Sequence, residues 1–327
     1  MTATAGQCGA GIGGGYKGAG GTITVNGGSV TACGNDAAGI GGGQYGAGGA
    51  VTINGGVVTA RGDDYAAGIG GGEQKDGGTV IISGGVVTAT GGNYGAGIGG
   101  GGGLWGDGGN GGTVTISGGV VTATGNSAGI GGGGSNEGNG GDGATVTISG
   151  GWVSAKGNSR AAGIGGGGSN KAFGGTNGET TISDGTVFAQ GANGGADIGP
   201  GANADPSGEN TFTGGSIRLA SSVLMLPPSN GMEPVGCAVA TGFEPDEPVA
   251  ITGLGNYGAD DIVADDVGCI YLWLPYDNEY AFEANGRPCT VKLQGGIGSS
   301  GVTINGEEAA FGPAAPATAG WEVETAT

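Results

Sequence analysis

The sequence predicts an all-β chain: a right-handed parallel β-helix of about seven three-strand coils, followed by a small β-sandwich. Three observations predict it. The 327 residues hold 91 Gly but only 11 Pro. An Ala-x-Ile-Gly-Gly core recurs through the first 200 residues, and short runs of alternating apolar and polar residues lie between its copies. Collagen needs Gly at every third position with abundant Pro, so that reading is excluded.

The recurring isoleucines are Ile12, Ile40, Ile69, Ile98, Ile130 and Ile164, and a worn copy, Ala196-Asp197-Ile198-Gly199-Pro200, comes after them. Their spacings are 28, 29, 29, 32, 34 and 34 residues, the period of a solenoid or an array. Each unit contains three extended pieces, for example Thr113-Val114-Thr115-Ile116, Val120-Val121-Thr122-Ala123-Thr124 and Ala128-Gly129-Ile130. Alternation places Ile23/Val25, Val51/Ile53, Val80/Ile82, Val114/Ile116 and Val146/Ile148 inside on the first piece. The second piece turns Val30/Ala32 through Val187/Ala189 inward, and leaves Thr31, Arg61, Thr90, Thr124, Lys156 and Gln190 to water. Asn-Gly-Gly and Ser-Gly-Gly corners supply the turns. At about 4.8 Å per coil the stack is a rod roughly 30 Å long. A propeller blade uses four strands in about 40–50 residues, so these units fit a three-sided coil better. The right hand is expected from the general chirality of parallel crossovers.

Composition divides the chain. Residues 1–200 hold 72 of the 91 Gly, and 6 bases against 11 acids give −5; residues 201–327 hold 3 bases against 17 acids, −14, for a total of −19. A turn-rich boundary at Pro227-Pro228-Ser229-Asn230-Gly231 separates a β-helix with closing strands, 1–226, from an acidic sandwich, 227–327. Phe212-Thr213-Gly214-Gly215-Ser216-Ile217 is expected to close the helix. Seven runs come after it: 238–240, 249–251, 270–274, 280–282, 290–293, 302–304 and 321–323. The acidic balance excludes sequence-independent nucleic-acid binding. The absence of His removes Ser-His-Asp, Cys-His and His-metal chemistry. No apolar stretch reaches the roughly 20 residues of a membrane span. The first repeat opens in mid-unit and no signal peptide precedes Thr2, so the chain is expected to be an excised segment with Met1 an added start.

Two features bear on function. On the third piece the outward positions are glycine, from Gly11/Gly13 and Gly39/Gly41 to Gly163/Gly165. Cover by neighbouring loops accounts for this stripe best. Docking of another chain or a flat ligand, and tight backbone geometry, are the alternatives. The insertions after Ile-Gly-Gly emerge at one corner. There Tyr16, Tyr45, Trp105, Asp107, Glu137 and Phe173 are the candidate ligand-binding residues, because aromatic faces stack on pyranose rings while acids and amides hold hydroxyls. The competing reading is that each aromatic covers its own loop. Tyr65 and Tyr94 are read as edge packing.

Other patterns carry less. Asp76, Asp107 and Asp142 fall at no fixed column, so a calcium solenoid is weakly supported. Gly-x-Gly-x-x-Gly matches are products of the repeat. Thr-x-Thr pairs such as Thr113/Thr115 resemble ice-binding solenoids, but the column breaks at Ala50/Thr52, Thr79/Ile81 and Glu179/Thr181. Asp63-Asp64, Asp260-Asp261 and Asp265-Asp266 are chain neighbours, whereas a glycosidase needs two carboxylates across a cleft. No catalytic residue, cofactor or metal site is assigned. Cys8 and Cys33 align to offset columns and are poorly placed to bond. Any two of Cys237, Cys269 and Cys289 could bridge, and buried free thiols fit equally well.

The repeated Gly-Ala-Gly-Ile-Gly-Gly-Gly and Thr-Val-Thr-Ile-Ser-Gly-Gly-Val-Val-Thr-Ala-Thr resemble Gly-rich modules of large secreted, wall-anchored bacterial surface proteins. The stretch from Tyr257-Gly258-Ala259-Asp260-Asp261-Ile262 through Leu272-Trp273-Leu274-Pro275 is similar to the segment after the solenoid in that group. The fold is also similar to that of pectate-lyase-like enzymes, though no catalytic motif transfers. The resemblance implies an extracellular, bacterial cell-surface location and a role in adhesion or glycan contact. The leading expectation is a non-enzymatic β-helix stalk that contacts a polysaccharide, surface glycan or matrix through its corner loops. A polysaccharide lyase or glycosidase is the alternative, and an ice- or matrix-binding solenoid comes third.

Overall fold

The computed structural model describes residues 1–220, 228–255, 262–276, 278–294, 302–304 and 307–309. Among these residues there is no α-helix, and strands stack in a parallel β-solenoid of about seven turns. First strands such as Thr22–Val25, Ala50–Ile53, Thr79–Ile82 and Thr113–Ile116 pair in register, Val114 beside Val80 and Ile116 beside Ile82. Second strands such as Val57–Arg61, Val86–Thr90 and Val120–Thr124 do the same, with Val87 between Val58 and Val121. The third strands, Ile12–Gly13 to Ile198–Gly199, form a separate seven-stranded sheet. In the sixth and seventh coils the first two strands run together across the corner as Thr145–Lys156 and Glu179–Gln190.

Because the strands pair in register, the same residue type sits above itself from coil to coil. Ile53, Ile82, Ile116, Ile148 and Ile182 make one fully buried column, and Ile40, Ile69, Ile98, Ile130, Ile164 and Ile198 another. Each contributes about 1.5–3 kcal/mol of burial. The inward valines and alanines of the second strand are buried as the alternation requires.

The glycines of the third strand are buried rather than bare from the second coil on. A Cβ on Gly39 would lie 2.4 Å from the backbone N of Arg61, and one on Gly41 (φ 135°) 2.2 Å from the carbonyl oxygen of Gly70. Close backbone approach, and not loop cover or an open docking face, accounts for them. The loop bases continue the packing as a zigzag of backbone bonds along the solenoid. Gly109 N–H donates to Gly101 O, Gly133 N–H to Gly109 O, Gly141 N–H to Gly133 O and Gly167 N–H to Gly141 O, at 2.7–2.9 Å.

The closing strands are Glu209–Phe212 and Ser216–Leu219. Beyond them Val235–Thr241 pairs antiparallel with Cys269–Pro275, and Ile251–Thr252, Glu279–Ala284, Arg287–Gln294, Val302–Ile304 and Glu307–Ala309 form a second antiparallel sheet. The run at 321–323, the 257–261 part of the resembling segment and Asp260-Asp261 lie outside the described residues. In Cys269–Pro275 the alternation serves two cores. Ile270, Leu272 and Leu274 face the second sheet. On the other side, Trp273 joins the solenoid core with Val235, its ring edge-on to Phe212 at 5.3 Å and its indole N–H donating to Ile217 O at 2.9 Å.

Candidate functional site

Two sets of turns meet along one edge of the solenoid: the insertions after Ile-Gly-Gly, and the turns four to five residues before the isoleucine. Backbone bonds join them, as where Gly102 N–H donates to Tyr65 O and Gly134 N–H to Tyr94 O. On this edge the structure brings together four tyrosines. Tyr16 and Tyr45, on adjacent coils, meet edge to face with ring centroids 6.1 Å apart. Tyr65 and Tyr94 stack with centroids 6.3 Å apart and planes 8° from parallel. The first pair consists of sequence-predicted candidates; the second adds two residues to the candidate edge.

Glu73 connects the pairs. Gln44 Nε2 donates to its carboxylate at 3.3 Å. Burial, followed by the hydrogen bond to Glu73, raises the Tyr45 hydroxyl above the ordinary tyrosine range. Burial and the charges of Asp64 and Glu73 do the same for Tyr65. Asp64 and Asp36, from neighbouring coils, share a hydrogen bond; that bond, then burial, then the charges of Asp36, Asp63 and Glu73 raise the Asp64 carboxyl. At the other end Tyr94 OH donates to Asn136 Oδ1 at 3.3 Å and accepts from Asn170 Nδ2 at 2.7 Å.

Tyr45 and Tyr94 have left-handed backbones, φ 60° and 56°. An aromatic residue there costs about 1–2 kcal/mol that glycine would not. The conformation belongs to the turns themselves: Lys17 and Gln74 share it at the position of Tyr45, and Cys8 and Asp36 at the position of Tyr94.

The other candidates are distributed along the same loops. Trp105 is 76% exposed and Phe173 67% exposed, with no ring partner among the described aromatics. Glu137 accepts from Asn136 Nδ2 and pairs with Lys171. Asp107 Oδ1 accepts the Asn139 N–H of the next coil at 2.7 Å, and Asn139 Oδ1 accepts the Phe173 N–H. A second ladder runs through Asp76, Asn110, Asp142 and Thr176, where the side-chain oxygens of the first three hold the following coil's N–H at 2.8–3.0 Å. These bonds give the carboxylates of Asp107 and Asp142 a coil-to-coil role.

Among the described residues no group of three or more metal-ligating side chains forms. All five cysteines are free. Burial pushes the Cys237 thiol up to about 12, which removes its reactivity at neutral pH. No helix is long and apolar enough to cross a membrane among the described residues.

In-register coils, an isoleucine-lined core and side-chain ladders define a parallel β-helix module, a structural or carbohydrate-related β-helix protein. The family model for the β-helix repeat matches residues 23–44, 51–73, 80–102, 114–134 and 146–168, one stretch per coil, each beginning at an inward residue of the first strand. None of the curated proteins or solved structures compared with the chain matches it.

Proposed function

We propose that this chain is a non-enzymatic extracellular module of a bacterial surface protein: a β-helix stalk that contacts a glycan or glycan-bearing matrix through its tyrosine edge. The observation that supports the reading is the pairing of Tyr16 with Tyr45 and of Tyr65 with Tyr94 along one edge, with Glu73 between the pairs. Stacking of pyranose faces on such rings, with carboxylates and amides at hand for hydroxyls, is how proteins hold extended sugars. The surface location rests on the resemblance of the repeats to wall-anchored proteins.

Binding on a glycan array, with no change in polymer length afterwards, is the expected result. Tyr45→Ala or Tyr65→Ala should lower the array signal at least tenfold, about 1.4 kcal/mol. Retained binding in both variants would remove the edge from the function. A carbohydrate-active enzyme is the second reading, favoured by the Asp36–Asp64 carboxyl pair beside Tyr65. Release of oligosaccharides from a polysaccharide panel, lost in Asp64→Asn, would establish it instead.

A further inference from the structure

Towards its C-terminal end the solenoid exchanges apolar interior positions for polar ones. The inward column Val51, Val80, Val114 and Val146 continues as Thr180 and then Asn210. Two residues before successive first strands stand Gly48, Gly77, Gly111 and Gly143, and then Asn177. The three polar side chains are buried, with 0% exposure for Asn177, 1% for Thr180 and 3% for Asn210. Such burial is costly unless the hydrogen bonds of each group are met.

Part of that demand is met by the end of the third sheet. Among the described residues Ile198–Gly199 is its last strand, so one edge of that strand has no neighbour to bond. Asn210 Nδ2 donates to Ile198 O at 3.4 Å, and Asn210 Oδ1 accepts from Asn177 Nδ2 at 3.0 Å. These bonds fix both amides, since turning over either one or both would set two acceptors or two donors against each other. Asn177 Oδ1 is left without a partner, and so is the Thr180 hydroxyl. Both flank the Asn210 amide, Asn177 through its bond and Thr180 through the strand register. A Cβ on Gly165 would strike Gly199 O and lie 3.0 Å from Asn177 Oδ1, whereas one on Gly199 would meet only the Ala196 side chain. Among the described residues, the backbone layer that closes this corner over earlier coils therefore stops at Gly199.

We propose that Asn177 Oδ1 and Thr180 Oγ1 bind one ordered water molecule, which completes a polar plug at the end of the third sheet. The water donates to the amide oxygen and exchanges a second bond with the hydroxyl, which can donate or accept. Both oxygens are neutral, and calcium takes about six to eight oxygen ligands, so water suits the pair better than that cation.

Thr180→Val tests this by sign, because valine is the residue of this column in the preceding coils. With the water bound, the variant leaves both the water and Asn177 short of a bond, and its melting temperature should fall by roughly 2–4 °C. Without it, the variant removes an unmet buried hydroxyl and should melt higher. A rise or no change would overturn the proposal. A high-resolution crystal structure of the unaltered chain gives a second reading, in which a water peak should stand about 2.7–3.2 Å from both oxygens. No peak there, or a Thr180 hydroxyl turned onto a backbone carbonyl, would overturn it. So would a melting temperature that rises with potassium or calcium at constant ionic strength, which would give the site to a cation.

Discussion

Gly70 takes a φ of 136°, and a Cβ built on it would lie 2.1 Å from the carbonyl oxygen of Gly99. Neither the dihedral nor the neighbouring backbone can accommodate alanine. Gly70→Ala should therefore cost more than about 3 kcal/mol. Gly15, whose Cβ would meet nothing within 4 Å, should tolerate alanine with no loss. Denaturant midpoints of the two variants check this, and comparable midpoints would show that the coils can part to admit a methyl group. Asp64 makes a separate point at the same scale. Its folded carboxyl titrates above the ordinary range because of Asp36. An acid that holds its proton more tightly when folded adds stability below the unfolded Asp pKa, and that stability is lost as pH rises through the folded value. Asp64→Asn should thus raise the melting temperature by about 1–2 °C at pH 7, the size expected for a mostly exposed group, and leave it unchanged near pH 3. A shift of the same size at both pH values would assign the effect to something other than charge.

Between residue and whole molecule the coil is the working unit, and its ladders test how coils are joined. Removing the Asn110 side chain takes away the acceptor of the Asp142 N–H. Asn110→Ala should speed hydrogen exchange at Asp142 and cost about 1 kcal/mol, whereas Asn110→Asp, which keeps the oxygen, should preserve protection. Unchanged exchange in the alanine variant would reduce the ladder to a packing accident. The first two strands of each coil are legible from alternation alone, since register is in phase and burial follows period two. The ladder is not, because the loops lengthen and Asp76, Asp107 and Asp142 fall at different offsets after their isoleucines. Counted back from the next coil's first strand, Asp76, Asn110, Asp142 and Thr176 each stand three residues before Thr79, Thr113, Thr145 and Glu179. The signal exists, anchored to the other side of the insertion. Tyr65 and Tyr94 carry a similar one, as their 29-residue spacing equals that of Ile69 and Ile98. The buried state of the glycine stripe is not legible, since the atoms that cover it belong to the backbone of the next coil.

At the scale of the molecule, a solenoid needs its last coil covered, and here the sandwich does that. Trp273 lies on Phe212 and Ile217, Ser216 Oγ accepts the Tyr271 N–H, and Thr186 Oγ1 accepts the Val263 N–H. Outside this apolar contact, Arg218 bonds Asp265 and Asp266 while lying over the Phe188 ring at 5.3 Å. The two contributions differ in kind. The tryptophan is buried and leaves a cavity when truncated, worth about 3–5 kcal/mol, whereas the ion pair is partly solvated and worth about 1 kcal/mol or less. None of this is readable from the repeat, because Trp273 meets Ile217 across 56 residues with no period to predict the contact. Stability in a stacked array is a sum of nearest-neighbour terms, so losing the cap should loosen the coils beside it and not those four or five coils away. Trp273→Ala should therefore accelerate hydrogen exchange over 209–219 and 179–190 while residues 79–124 keep their protection, and Arg218→Ala should do the same more weakly. Acceleration spread evenly over every coil would mean that the solenoid and its cap unfold as one cooperative body, and that the sandwich is part of the solenoid's core rather than its lid.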